Sequence, residues 1–214
     1  MNLPKHLRRL MSNWFIITKD NIDINDDASE VYSPDEQISN ILLKKRIFRR
    51  NVVISPLLNI YAELKLAYED LGDDSVILDI TPSFFEFASF IFENERDNTI
   101  LRHLHIGDVV SINFGNGNNF VIIRAIFCHQ KNDLRFAFVI VDWFEELNRT
   151  RLGCPMYQLQ MTHTNQRRVF SISLVNAINI VHFVHCCKDE ECIEGDHNSS
   201  NDLYMRNLYF FKAI

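Results

Sequence analysis

The period of the apolar positions changes near residue 80. Before it, apolar residues recur at helical spacing. Ile38, Ile41 and Leu42 fall on one face, behind a helix start at Ser33-Pro34-Asp35-Glu36. There Ser33 caps, Pro34 suits the first helical position and Glu36 completes a capping box. This predicts a helix over about 34–48. A second start, Ser55-Pro56, is followed by Leu57, Ile60, Tyr61, Leu64, Tyr68 and Leu71, with Gly72 placed to end it. A single apolar stripe of this kind must pack on another element. It predicts a helix over about 56–71.

Beyond Asp79 the runs shorten and become aromatic and β-branched. Phe84 to Phe92, Val109 to Ile112, Phe120 to Cys128 and Phe136 to Phe144 read as strands. Met156 to Met161, Val169 to Leu174, Ile180 to Cys186 and Leu208 to Ile214 complete the set. Asn113 to Asn119 reads as a turn. Gln130-Lys131-Asn132-Asp133 joins the third and fourth runs, which predicts an antiparallel hairpin buried on both faces. Many short strands at this spacing suggest a small barrel or sandwich. The fold class expected is α+β, with an N-terminal helical extension over 1–82 and a β domain over 83–214.

Composition narrows the functional classes. Residues 20–36 hold seven acidic side chains and no basic one, the mark of a solvated linker. Up to Pro82 there are 10 basic and 13 acidic residues, and from Ser83 onward 12 and 15. Each part is −3, without the basic excess of a phosphate-clamping domain, so no direct nucleic-acid partner is expected. Arg, His or Asp interrupts every apolar run before membrane-spanning length. The basic start, Lys5 to Arg9, lacks a following signal-peptide core, so an intracellular protein is expected, in nucleus or cytoplasm. Five cysteines, an odd number, then argue against a disulfide framework.

One resemblance adds to this reading. Ile106-Gly107-Asp108-Val109-Val110, then Val121 to Phe127, then Phe138-Val139-Ile140-Val141-Asp142-Trp143-Phe144 resemble the bromo-adjacent homology (BAH) domain in order and content. Ser171 to Asn176 and Leu208-Tyr209-Phe210-Phe211 look like its later segments. The resemblance covers roughly three-fifths of the chain and implies a BAH-like small mixed β-barrel. It also implies a non-catalytic protein-interaction module, in some members a chromatin-associated reader of histone tails. The segment from His185 to Asn207 also looks like that of uncharacterised fungal proteins, which implies no activity.

Three clusters carry candidate chemistry, each with a plainer alternative. Trp143, Glu145, Glu146 and Tyr157 match the needs of a methyl-lysine cage, whose ring faces and carboxylates hold an alkylated ammonium. The alternative is that Trp143 closes the core. His185, Cys187, Cys192 and His197 supply two nitrogens and two thiolates for a structural zinc. The alternative is small buried thiols with histidines on a polar face. Lys44, Lys45, Arg46, Arg49 and Arg50 form a basic cluster that reads as a nuclear import signal or as a basic helix end.

Catalytic signals are weak. Gly115-Asn116-Gly117 is a turn between strands, not a phosphate loop. His103 and His105 share a face of a strand and read as exposed edge residues. Cys154 and His163 lie apart in sequence with nothing to join them. No enzyme is expected. The competing expectations are a metal-dependent hydrolase built on the C-terminal His/Cys cluster, and an inactive remnant of a mobile-element protein.

Overall fold

The computed structural model describes residues 29–32, 38–48, 58–73, 81–93, 99–114, 117–131, 133–160, 166–176, 181–186 and 203–208. These form a mostly antiparallel β structure with one α-helix. Its centre is the hairpin of β6 (Gly117–Lys131) and β7 (Leu134–Arg151), the two longest strands. They pair antiparallel from Val121 opposite Trp143 to Lys131 opposite Leu134, as expected. Asp133 closes the turn at φ 63°, a left-handed conformation that Asp tolerates better than most residues.

The unbroken burial of β7 from Phe136 to Phe144 has a simple cause. Side chains alternate along a strand. Ala137, Val139, Val141 and Trp143 enter one core, with Val121, Ile123, Phe170 and Ile172. Phe136, Phe138 and Ile140 enter a second, under the helix. Phe144 joins a third, aromatic cluster with Phe120, Tyr157, Leu159 and Tyr204. The strand is therefore a wall between cores, which is why its sequence shows no polar face.

Helix α1 (Ile60–Asp70) starts at Asn59, whose Oδ1 accepts from the Ala62 N–H at 3.2 Å. The expected start at Ser55-Pro56 lies outside the described residues. Leu64, Ala67 and Tyr68 are buried against Phe127, Phe136, Phe138 and Val169. Gly72 ends the helix as expected. Its φ of 75° turns the chain so that the Asp73 N–H reaches back to the Tyr68 carbonyl at 3.0 Å.

The helix expected over 34–48 is not formed at its described residues, which make a strand instead. β2 (Ile38–Ile47) pairs antiparallel with β3 (Ser83–Glu93), from Ile38 opposite Phe92 to Ile47 opposite Phe84. The start at Ser33 to Glu36 lies outside the described residues. The apolar positions fit either period. The aromatic β3 edge decides the matter, because its N–H and C=O groups require a ladder partner. Ile41 and Leu43 then alternate into the first core. β1 (Ser29–Val31) adds to β2, so the sheet includes residues from before position 82.

The other strands are β4 (Thr99–His105), β5 (Val109–Phe114), β8 (Cys154–Gln160), β9 (Val169–Ser171), β10 (Val175–Asn176), β11 (Phe183–His185) and β12 (Leu203–Arg206). The main path runs β1-β2-β3-β6-β7-β8-β12-β11, while β4, β5, β9 and β10 pair off it. The sheet is open rather than a closed barrel. Among the described residues, one isolated parallel bridge brings the end of β1 back to β7, where the Tyr32 N–H donates to the Arg135 carbonyl at 2.8 Å. The run expected over 169–174 ends early, because Ile172–Leu174 turns into a 3-10 helix capped by Ser171. β12 was not expected. Of the closing strand expected over 208–214, Leu208 lies in a bend, and the rest falls outside the described residues. Among the described residues, no helix is long and apolar enough to cross a membrane.

Candidate interaction surface

The expected cage residues sit on the β7–β8 ladder, where Glu146 faces Tyr157 and Trp143 faces Gln160. Cross-strand partners share a face, and positions three apart do not. Trp143 and Tyr157 therefore point to opposite sides of the sheet. Trp143 is 8% exposed and belongs to the first core. Its Nε1–H donates to the Arg167 carbonyl at 2.6 Å, and its ring meets Phe170 edge-on at 5.7 Å. Tyr157, 4% exposed, belongs to the third cluster. Its hydroxyl donates to Glu146 Oε2 at 3.3 Å, while Glu145 accepts from Gln160 Nε2. The cage expectation is corrected: the two rings are packed in separate cores and do not converge.

The rings around Tyr157 are satisfied by one another. Phe183 of β11 lies 4.4 Å from Phe144 in a stack, 4.9 Å from Tyr157 and 5.7 Å from Phe120. It fills the space between three rings that an alkylated ammonium would need. His185 tilts against Tyr204 at 5.0 Å.

Of the expected zinc ligands, His185 stands on β11, while Cys187, Cys192 and His197 lie outside the described residues. Among the described residues, no group of His, Cys, Asp and Glu is arranged to hold a metal. Burial pushes the His182 imidazole below its ordinary range. Cys128 and Cys154 are buried free thiols. In the basic cluster, Lys44, Lys45 and Arg46 lie on β2, with Lys44 opposite Phe87 and Arg46 opposite Phe85, and Arg49 and Arg50 lie outside the described residues. These three are thus strand residues, not the helix end expected as the alternative.

Two buried polar groupings escaped the sequence reading. Asp142, 3% exposed, accepts from Arg124 Nε at 2.7 Å and from Arg168 Nη2. Arg168 Nε also donates to the Val141 carbonyl at 3.1 Å. Beside it, Glu63 of α1 accepts from the N–H groups of Arg168 (2.7 Å) and Val169 (3.1 Å), and Arg167 pairs with Asp70 at 2.6 Å. These contacts lock α1 to β9 and leave the buried carboxylate neutralised, which is a structural role. The available signal was Asp142 itself, a lone charge inside an apolar run. The second grouping lies under α1. Tyr68 and His129 Nδ1 share a 2.7 Å hydrogen bond, and Lys131 lies 4.5 Å over the Tyr68 ring while pairing with Asp73 at 2.9 Å.

The β2–β3–β4 sheet shows two different faces. One row, Leu43–Ala88–Leu104, is at most 1% exposed. On the other face the rows are Lys44–Phe87–His105 and Leu42–Ser89–His103. There Phe87 is half-buried, His105 is exposed, and the neighbouring Leu101 is 57% exposed. The His105 ring stacks on Phe87 at 5.3 Å, and the Lys44 and Lys45 ammonium groups lie 6.0 Å and 5.6 Å from its centroid. His103 is held below its ordinary range by burial first, then by His105 and Lys44. Among the described residues β4 pairs only with β3.

No family model, curated protein or solved structure matches this chain.

Proposed function

We propose that this chain is a non-catalytic protein-interaction module with a BAH-like order of strands. The observation that carries the reading is Phe87. It is a half-buried aromatic ring at the centre of a three-stranded face, flanked among the described residues by Lys44, Lys45 and His105. An aromatic anchor ringed by polar groups is the usual make-up of a contact surface. The BAH-like part is supported by the turn before β5. There Gly107 takes φ 95° and donates to the Ile123 carbonyl at 2.8 Å, and Asp108 Oδ2 accepts from the His105 N–H at 2.7 Å. That turn uses the Gly107-Asp108 pair with which the resembling segments open.

A histone-tail reader at the Trp143 end would keep the exposed carboxylates Glu145 and Glu146 but lacks a shared ring pair. The reading is therefore placed on the Phe87 face and carries no methyl-lysine specificity. The test is selection of displayed random peptides on the wild-type protein and on Phe87→Ser. Sequences enriched on the wild type should be lost on the variant while its thermal transition stays cooperative. A library with no enrichment, or enrichment indifferent to Phe87→Ser, would refute the reading.

A further inference from the structure

We infer that the β2–β3–β4 face centred on Phe87 takes an acidic peptide segment of a partner protein; this rests on the interaction-module reading above. Three observations on this face lead there.

The first is the pairing of charges. Glu86 lies 3.7 Å from Lys45, and Asp108 lies 3.6 Å from His105. Among the described residues no carboxylate pairs with Lys44, whose ammonium lies over the Phe87 ring. A cation over an aromatic face keeps its charge available to a further anion.

The second is the backbone at Lys45. Alternation along a strand would send Lys44 and Lys45 to opposite sides. Lys45 has φ 55°, a left-handed conformation that side chains other than Gly and Asn adopt at a cost. The break in alternation brings a second ammonium within 5.6 Å of the same ring centroid. Ladder pairing resumes at Arg46 opposite Phe85, so the irregularity is local.

The third is His103. Burial first, and then the positive field of His105 and Lys44, hold it below its ordinary range. A carboxylate docked on this face relieves that field, so the site is electrostatically complementary to an anion.

The anion is a peptide carboxylate rather than a nucleic-acid backbone. A continuous phosphate chain crossing this face would meet Asp108 beside His105, and the whole chain carries a net charge of −6. Separated Asp or Glu side chains reach the ammonium groups without running over that carboxylate. Phe87 and the exposed Leu101 give the apolar contact between them.

Fluorescence anisotropy with labelled twelve-residue peptides tests this, using one rich in Glu, one neutral and one rich in Lys. The acidic peptide should bind, with affinity falling at least about ten-fold as salt rises from about 50 to 500 mM. Lys44→Glu should weaken it by about ten-fold or more. Lys45→Gly removes an ammonium and suits the left-handed backbone. It should therefore weaken binding several-fold while the unfolding temperature holds or rises, which a merely structural role would not produce. Binding of the neutral or basic peptide instead, lost on Phe87→Ser, would overturn the acidic partner and leave the interaction reading standing. Acidic binding indifferent to both lysine variants would overturn the site. A single-stranded oligonucleotide bound more tightly than the acidic peptide would overturn the partner class. No peptide bound up to about 1 mM, a level that corresponds to about 4 kcal/mol of affinity, would overturn both readings.

Discussion

The β7–β8 ladder and the β2–β3–β4 sheet both carry an aromatic ring beside charged residues, yet they use it in opposite ways. On β7, Trp143 stands next to Glu145 and Glu146 in the chain but is sealed in a core, its indole N–H bonded to the Arg167 carbonyl. On β3, Phe87 stands inside a longer aromatic run but meets Lys44 and His105 across the ladder on a solvent-facing row. Linear neighbours alternate faces, while cross-strand neighbours share one. Charge beside a ring in sequence therefore says little about what the ring touches. The residues on neighbouring strands decide whether it is an anchor or a filler.

The contrast is sharpest in stability. Trp143→Ala should cost about 3–5 kcal/mol, against about 1 kcal/mol for Phe87→Ala, because only the first leaves a cavity inside a core. Denaturant unfolding of the two variants side by side checks this. Similar costs would break the comparison. Next comes the charge beside Trp143. Asp142→Ala should lose about 3 kcal/mol, because it strands the Arg168 guanidinium without its carboxylate. The same measurement on Lys44→Ala should show less than about 0.5 kcal/mol, as befits a residue whose charge is not spent inside the fold.

A pH experiment probes the packing under α1. Burial, then Cys128 and Asp73, push the Tyr68 phenol well above its ordinary 10.0. Below that value both folded and unfolded chains keep the proton, and stability is unaffected. Above it the unfolded chain ionises first, so stability falls as pH rises. The loss should reach about 1 kcal/mol one unit above the ordinary value. Unfolding midpoints between about pH 9 and pH 11 should fall more steeply for the wild type than for Tyr68→Phe. Parallel slopes would mean that the phenol is not shielded. In denaturant unfolding, Tyr157→Phe should cost about 0.5–1 kcal/mol. It removes the hydroxyl's hydrogen bonds to Glu146 and Arg206 and keeps the ring contacts with Phe120 and Phe183.

Much of the architecture could be read along the chain, and the failures have particular causes. The β6–β7 hairpin was legible because two apolar runs flank a short polar turn ending in Asp133. Helix α1 was legible through its stripe of Leu64, Tyr68 and Leu71, with Gly72 behind it. β2 was misread because Ile38, Ile41 and Leu42 suit a helix as well as a strand, and only the edge of β3 distinguishes them. β12 was missed because Leu203 to Arg206 is too short to show a period. At the candidate surface, His103 and His105 were placed on one strand face from their spacing. Lys44 was noticed only as part of a basic run. Phe87, the centre of the surface, was read as one strand residue among several.

Sequence alone determined the β-rich class, the central hairpin, the one described helix and the even spread of charge. Each of these follows from local pattern: alternation, turn residues, caps and composition. Tertiary structure decided which face each aromatic takes, whether the sheet closes, and how the charges pair. Those outcomes depend on ladder partners distant in sequence, such as Lys44 with Phe87 and Phe87 with His105. A single chain carries no mark of such a register, because shifting a strand by one residue leaves its sequence unchanged and turns every side chain to the other face.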